Sequence, residues 1–327
     1  MAKRKLKPKD LLWTALVVFI FFAAAELLSR LVVQIIVSRH YPQTQSGFRH
    51  GDQTLEYDPE LGWTVDGMEK LGPELPDGEA VPSDLQHKAE GTFRIFIIGD
   101  SVAYGVGVPG SRTFGALVAQ GLEQRDPDRS YEVLNAAVPG YNLTQMAARL
   151  ERDVLPNSPD LVIVCAGPFD AEQGQFEGLT ERSHSGETVR RLQSVLFHSR
   201  LYYLLSLAVV KARHEITDSE FRTKASPLET IDAMLADADV PHVFVAPVEV
   251  KQDRSTFMMH IHQWYSSSGL AWVDIYPALQ SALDQQGFEA VFIDYEHFNE
   301  QGHRIVAEQI LQYLDGPGSA MLGGGKP

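Results

Sequence analysis

Residues 93–108 read FRIFIIGDSVAYGVGV. Residues 93–98 form an apolar run of strand length, interrupted only by Arg94, that ends in Gly99-Asp100-Ser101 with Gly105 and Gly107 close behind. A hydroxyl therefore sits at the mouth of a buried strand. In open α/β sheets, ligands bind outside the carboxyl ends of the strands, and flanking glycines let the backbone turn sharply and come close to a substrate. The same tripeptide also suits an ordinary turn in which Asp100 or Ser101 caps a helix.

Outward from this stretch, strand and helix patterns alternate. Residues 93–98, 131–136, 161–165, 242–246 and 271–275 are short apolar runs. Helical stretches lie at 114–123, 143–155, 187–213, 228–236, 256–267, 277–285 and 300–314, and Asn142 with Gln145 makes a capping box for the second. Five strands separated by helices predict a mainly parallel sheet covered on both faces, a flavodoxin-like three-layer α/β/α sandwich over residues 92–315. The stretch 187–213 is unusual, because its middle (195–210) is more apolar than a surface helix needs. With His198 and Arg200 inside sixteen residues, that middle is too short and too polar for a membrane span. It is expected to pack on the domain or wall the cleft, and a membrane-surface contact is the other reading.

Residues 1–10 are a basic head, and residues 11–28 are apolar apart from Glu26 near their end. Eighteen such residues are just long enough to cross a bilayer, and the apolar pattern continues at helical spacing to about residue 37. The flanking lysines predict a cytoplasmic N-terminus and an exported remainder, on the periplasmic side of an inner membrane. Ala23-Ala24-Ala25 leaves open a cleaved signal peptide instead of a signal anchor. Residues 38–91, rich in Pro, Gly, Asp and Glu, read as a linker and irregular wrap, with Tyr57 and Trp63 pinning a loop to the domain. The glycine-rich end, 316–327, reads as disordered.

Charge is unevenly placed: of the net −15, residues 1–40 carry +5 and the rest −20. An acidic body repels phosphates, which argues against a nucleic-acid partner. Cys165 is the single cysteine, so no intrachain disulfide and no zinc-holding cysteine cluster can form. His260 and His262, two apart on a helix, point to different faces, and His303 is expected to cap or pack the last helix.

Residues 294–303 read DYEHFNEQGH. A carboxylate three residues before a histidine can hold one ring nitrogen and leave the other facing outward. An imidazole so oriented is the general base that a serine nucleophile requires at neutral pH.

Gly99-Asp-Ser101 after the first domain strand, the turn Asn135-Ala-Ala-Val-Pro-Gly140-Tyr-Asn142 after the second, and Asp294-x-x-His297 before the last helix together resemble the SGNH, or GDSL, hydrolase family. The likeness extends over residues 93 to about 314. It implies that Ser101 attacks an ester, with His297 as base and Asp294 orienting it. It also implies that the N–H groups of Ser101 and Gly140 serve the oxyanion, that Asp100, Phe169 and Asp170 line the substrate, and that no cofactor is needed. At one position the pattern departs. Where the family carries Gly-x-Asn, this chain has Gly167-Pro168-Phe169-Asp170, and phenylalanine cannot donate the third oxyanion hydrogen bond. Losing one such donor costs on the order of 10²–10³ in turnover. A slow enzyme, a replacement donor such as Asn142, or a site kept for binding are the three outcomes.

The expected protein is a membrane-anchored, extracytoplasmic serine esterase or acyltransferase acting on small acyl esters, acetyl first, of a carbohydrate or glycoconjugate. The acyl chemistry follows from the resemblance, and the carbohydrate from location and from family members of similar layout. Two alternatives stand beside it: a lipid esterase or thioesterase at the membrane surface, and a catalytically silent subunit for surface-polysaccharide production. Oligomeric state is left open.

Overall fold

The computed structural model describes residues 8–40, 56–58, 61–65, 67–72, 79–81, 85, 88–167, 199, 201, 202, 205, 228–251 and 254–323. They fall into two compact units, Met1–Pro42 with Ser185–Asp218, and Gln43–His184 with Ser219–Pro327.

In the first unit, α1 runs Pro8–His40. Its segment Trp13–Val32 is long and apolar enough to cross a membrane, as either an anchor or a signal sequence. Its large side chains lie on the surface, with Trp13, Phe19 and Leu27 66–70% exposed. Glu26, the one carboxylate of that segment, accepts from Arg30 Nε (2.9 Å), from the Ser199 hydroxyl (2.7 Å) and from the Leu201 N–H (3.0 Å). The Ser199 hydroxyl in turn accepts from the N–H of Tyr202 at 3.2 Å. The rest of the expected helix 187–213 lies outside the described residues, as do the side chains of Tyr57 and Trp63.

The second unit holds a three-layer α/β/α sandwich. Its strands are β1 (Glu56–Asp58), β2 (Gly62–Thr64), β3 (Met68–Leu71), β4 (Glu79–Val81), β5 (Thr92–Gly99), β6 (Ser130–Asn135), β7 (Leu161–Cys165), β8 (His242–Val245) and β9 (Trp272–Val273). Strands β6-β5-β7-β8-β9 are neighbours in that order and all parallel, which is the expected five-stranded sheet. Seven strands are present instead of five, because β3 pairs antiparallel with β6 and β4 with β3 on the edge. The stretch read as an irregular wrap thus extends the sheet, and its β1 and β2 form a separate hairpin. Runs of three or four residues are too short to show an alternating period, so pairing rather than local pattern makes them strands.

The central strands β5 and β7 are buried along almost their whole length, as strands covered on both faces must be. Arg94 is 2% exposed within β5 and is paired there, Glu132 on β6 accepting from its Nε at 2.5 Å and the Asn157 carbonyl from its Nη1 at 2.7 Å. Helices are α2 (Ser101–Tyr104), α3 (Phe114–Arg125), α4 (Leu143–Arg149), α5 (Leu228–Asp237), α6 (His260–Ser268), α7 (Tyr276–Gln286), α8 (Glu300–Asp315) and α9 (Ser319–Leu322). Helix α8 packs on α3 and α7, and α4 on α5. The capping box of Asn142 and Gln145 is formed. Helix α4 stops at Arg149 and continues as a π turn, Leu150–Val154. In the tail read as disordered, α9 forms and the Leu322 carbonyl accepts from Arg129 Nη1 at 2.6 Å, a long-range contact that glycine content does not reveal.

Candidate active site

Strand β5 ends at Gly99, and α2 starts two residues later. A Cβ at Gly99 would lie 2.5 Å from the Cys165 carbonyl oxygen and 2.6 Å from the Ala103 Cβ, so only glycine lets β5 run beside β7 and turn directly into α2. Asp100 caps this short helix, its Oδ1 accepting from the Val102 N–H at 2.9 Å. Ser101 is the first helical residue. The capping reading therefore holds, and the cap fixes the turn that carries the Ser101 side chain.

The second turn is built the same way. Beyond β6 the chain stays alongside β5, the Ala136 N–H donating to the Ile97 carbonyl (2.8 Å) and the Val138 N–H to that of Gly99 (3.1 Å). Val138-Pro139-Gly140-Tyr141 then forms a β-turn, closed from the Tyr141 N–H to the Val138 carbonyl, with Gly140 at φ +79°. Proline second and glycine third is the chemistry of a type II turn. Among the described residues, neither the Ser101 N–H nor the Gly140 N–H has a protein acceptor.

The loop before α8 carries the third component. Asp294 accepts from the N–H groups of His297 (2.8 Å) and Glu296 (3.1 Å) through Oδ1, and both its oxygens lie 2.8–2.9 Å from His297 Nδ1. With Nδ1–H donating to Asp294, the lone pair of Nε2 faces outward and accepts from Ser101 Oγ at 2.8 Å. Burial alone would raise the Asp294 carboxyl, but the hydrogen bond and charge of His297 and the two N–H donors outweigh it and lower it to about 2. Burial likewise opposes charge on His297. The Asp294 hydrogen bond and the negative charges of Asp294, Glu296 and Asp100 prevail and raise the imidazole above its usual value. Enclosure of the Asp100 carboxyl raises it, against the Val102 N–H and the nearby His297. Ser101, His297 and Asp294 thus form one hydrogen-bonded chain able to take a proton from an alcohol.

Of the other expected site residues, Gly140 is placed on the turn beside the β5 tip. Asn142 accepts from the Gln145 N–H through its side-chain oxygen, which leaves only its Nδ2 for a substrate. Phe169 and Asp170 lie outside the described residues. His303 is 1% exposed, and its Nδ1 accepts from the Phe114 N–H at 3.2 Å, so it caps α3 rather than its own helix. Among the described residues, no group of three or more His, Cys, Asp or Glu is placed to hold a metal ion. Unforeseen from local sequence is a set around α4: Gln145 and Arg149 join it to Leu61 and Thr64 of the β1–β2 hairpin.

Several solved structures resemble this chain. LAE5, an α/β hydrolase enzyme from the metagenome of Lake Arreo, Spain, is 19% identical, with a TM-score of 0.43 over 67% of this chain and 94% of that one. Axe2, an acetylxylan esterase from Geobacillus stearothermophilus, is 16% identical, with a TM-score of 0.42 over 67% and 93%. The acetyl xylan esterase AlAXEase is 16% identical, with a TM-score of 0.43 over 68% and 100%. No curated protein matches the sequence. The model of one protein family does match, over residues 97–305, a span that holds the β5 tip, the Gly140 turn and the Asp294–His297 loop, and the chain belongs to that family, the GDSL-like lipases and acylhydrolases.

Proposed function

We propose that this chain is a membrane-anchored serine esterase or acyltransferase whose exported domain acts on small acyl esters, acetyl first, of a carbohydrate or surface glycoconjugate. The observation that carries the reading is the 2.8 Å approach of His297 Nε2 to Ser101 Oγ. As Ser101 Oγ bonds to the acyl carbon, His297 Nε2 takes the hydroxyl proton, and the Ser101 and Gly140 N–H groups donate to the oxyanion. Collapse of that intermediate breaks the ester bond, and the leaving alcohol receives the proton from His297. A water or a sugar hydroxyl then gives its proton to His297 and takes the acyl group from Ser101. Water makes the protein an esterase, and a sugar makes it a transferase.

The exposed apolar surface of Trp13–Val32 and the basic residues before it support a single-pass anchor with a cytoplasmic N-terminus and a periplasmic domain. Location in turn favours a surface glycoconjugate as substrate. A fluorophosphonate probe on the full chain in detergent tests the chemistry. Wild type is expected to be labelled and Ser101→Ala not, and an unlabelled wild type would leave a silent binding or assembly subunit. Turnover of p-nitrophenyl esters of increasing length tests the acyl pocket, with acetate best. A profile that rises with length assigns a lipid esterase or thioesterase instead. A reporter fused after Pro327 should report an exported C-terminus.

A further inference from the structure

Asp58, Leu61, Thr64 and Gly67 precede the residues matched by the family, yet they are bonded to α4, the helix that leaves the Gly140 turn, and to the π turn that continues it. Gln145 Nε2 donates to the Leu61 carbonyl at 2.7 Å. Arg149, 1% exposed, donates from Nη1 to the Thr64 hydroxyl (2.9 Å) and from Nη2 to the Gly67 carbonyl (2.6 Å), while Asp153 pairs with Nη1 at 2.7 Å. Arg152 Nη1 reaches Asp58 Oδ2 at 2.8 Å, and Asp58 Oδ1 accepts from the Leu61 N–H at 2.9 Å. Positions 145 and 149 are four apart on one side of α4, and Arg152, in the π turn that follows, takes the far end of the grip. The grip reaches the end of the turn, because Gln145 Oε1 accepts from the N–H of Asn142, the residue after Tyr141, at 3.2 Å.

We infer that Asp58, Leu61, Thr64 and Gly67 form a positioning element of the active site, which through Gln145 and Arg149 fixes the direction of the Gly140 N–H. The turn is held on its first side by the Val138 N–H bond to Gly99, the residue two before Ser101. Its third residue is a glycine at φ +79°, the backbone type with the widest conformational freedom. An N–H there points where its neighbours make it point, so the second side must be held as firmly as the first. Gln145 supplies that hold by bridging the Leu61 carbonyl and the Asn142 N–H, and the buried Arg149, bonded to Thr64 and Gly67, stiffens it with charge-assisted bonds. A displacement of an ångström in such a group is worth up to about 10²-fold in rate.

This inference rests on the serine-hydrolase reading above. Its test uses the full chain in detergent, with p-nitrophenyl acetate turnover, the rate of fluorophosphonate labelling of Ser101, and the thermal midpoint measured together. Thr64→Val keeps the side-chain shape and removes the hydroxyl. It is expected to lower kcat and the labelling rate by on the order of tenfold, less than the ~10²–10³ of a lost oxyanion donor, with KM unchanged. Thr64→Ser should restore both rates, and Gln145→Met, which frees Leu61, should act as Thr64→Val does. Labelling of both variants at the wild-type rate, whatever their thermal midpoints, makes the segment a purely structural strap and overturns the inference alone. A wild type that does not label overturns the hydrolase reading and this inference with it.

Discussion

Ser101 and His297 are 196 residues apart in the chain and 2.8 Å apart at Oγ and Nε2. The contact depends on β5 ending where it does and on the loop into α8 returning to the same edge of the sheet. Everything chemical in the site follows from it.

Ser101→Ala and His297→Ala should each reduce kcat for p-nitrophenyl acetate by on the order of 10⁴ or more, and the double variant by little more than either alone. Circular dichroism and the thermal midpoint of Ser101→Ala should stay close to wild type, since Ser101 is only half-buried, at the first residue of α2. Equal activity of either single variant would remove the pair from the mechanism.

His297 must be neutral to accept the Ser101 proton, and its pKa is raised. Activity is therefore lost as pH falls through a value above the ordinary 6.5 of an imidazole. Asp294→Asn removes the main groups that raise it, so the acid limb of kcat/KM should move to lower pH while the rate falls by up to ~10⁴. Stability runs the other way for the carboxylate. Asp294, lowered from 3.8 to about 2, contributes stability that is present above 3.8 and lost as pH falls through about 2. The raised His297 contributes stability below 6.5 that disappears as pH rises through its folded value. Pairwise melts of wild type and Asp294→Asn across pH 2–8 check both signs, on the order-of-magnitude scale of such linkage.

Gly99→Ala should lower stability by about 1–3 kcal/mol, because the new methyl must push β5 from the Cys165 carbonyl or shift α2. Since α2 carries Ser101, the labelling rate should fall with the thermal midpoint. A melt and a labelling time course on the same sample separate this from simple unfolding.

Arg94→Ala should cost about 3–5 kcal/mol in urea denaturation, since it leaves Glu132 and the Asn157 carbonyl without their buried donor. Arg94→Met combined with Glu132→Leu should recover most of that loss. If Arg94→Ala melts like wild type, solvent reaches Glu132 more freely than its geometry implies.

Much of this was legible in the chain. The runs at 93–98, 131–136 and 161–165 became β5, β6 and β7 within a residue or so, because β5 and β7, buried on both faces, are apolar nearly throughout and the buried half of β6 is mostly so. Asn142 and Gln145 formed their capping box because capping is a four-residue matter. The edge strands β3 and β4 were not legible, since three or four residues carry no period and need β6 as a template. The start of α6 at His260, four residues later than expected, reflects residues 254–259, which instead pair Phe257 with Val250.

By itself the sequence determined the layers, the serine at a strand tip and the carboxylate–histidine pair three residues apart, because each is encoded within a few neighbouring positions. Only the tertiary structure decided that Nε2 of His297 meets Ser101, that His303 caps α3, and that Thr64 and Leu61 grip the helix behind the Gly140 turn. Those are contacts between residues some eighty to two hundred positions apart. No local pattern carries them, since hydrogen bonds of that reach exist only once the sheet has brought its edges together.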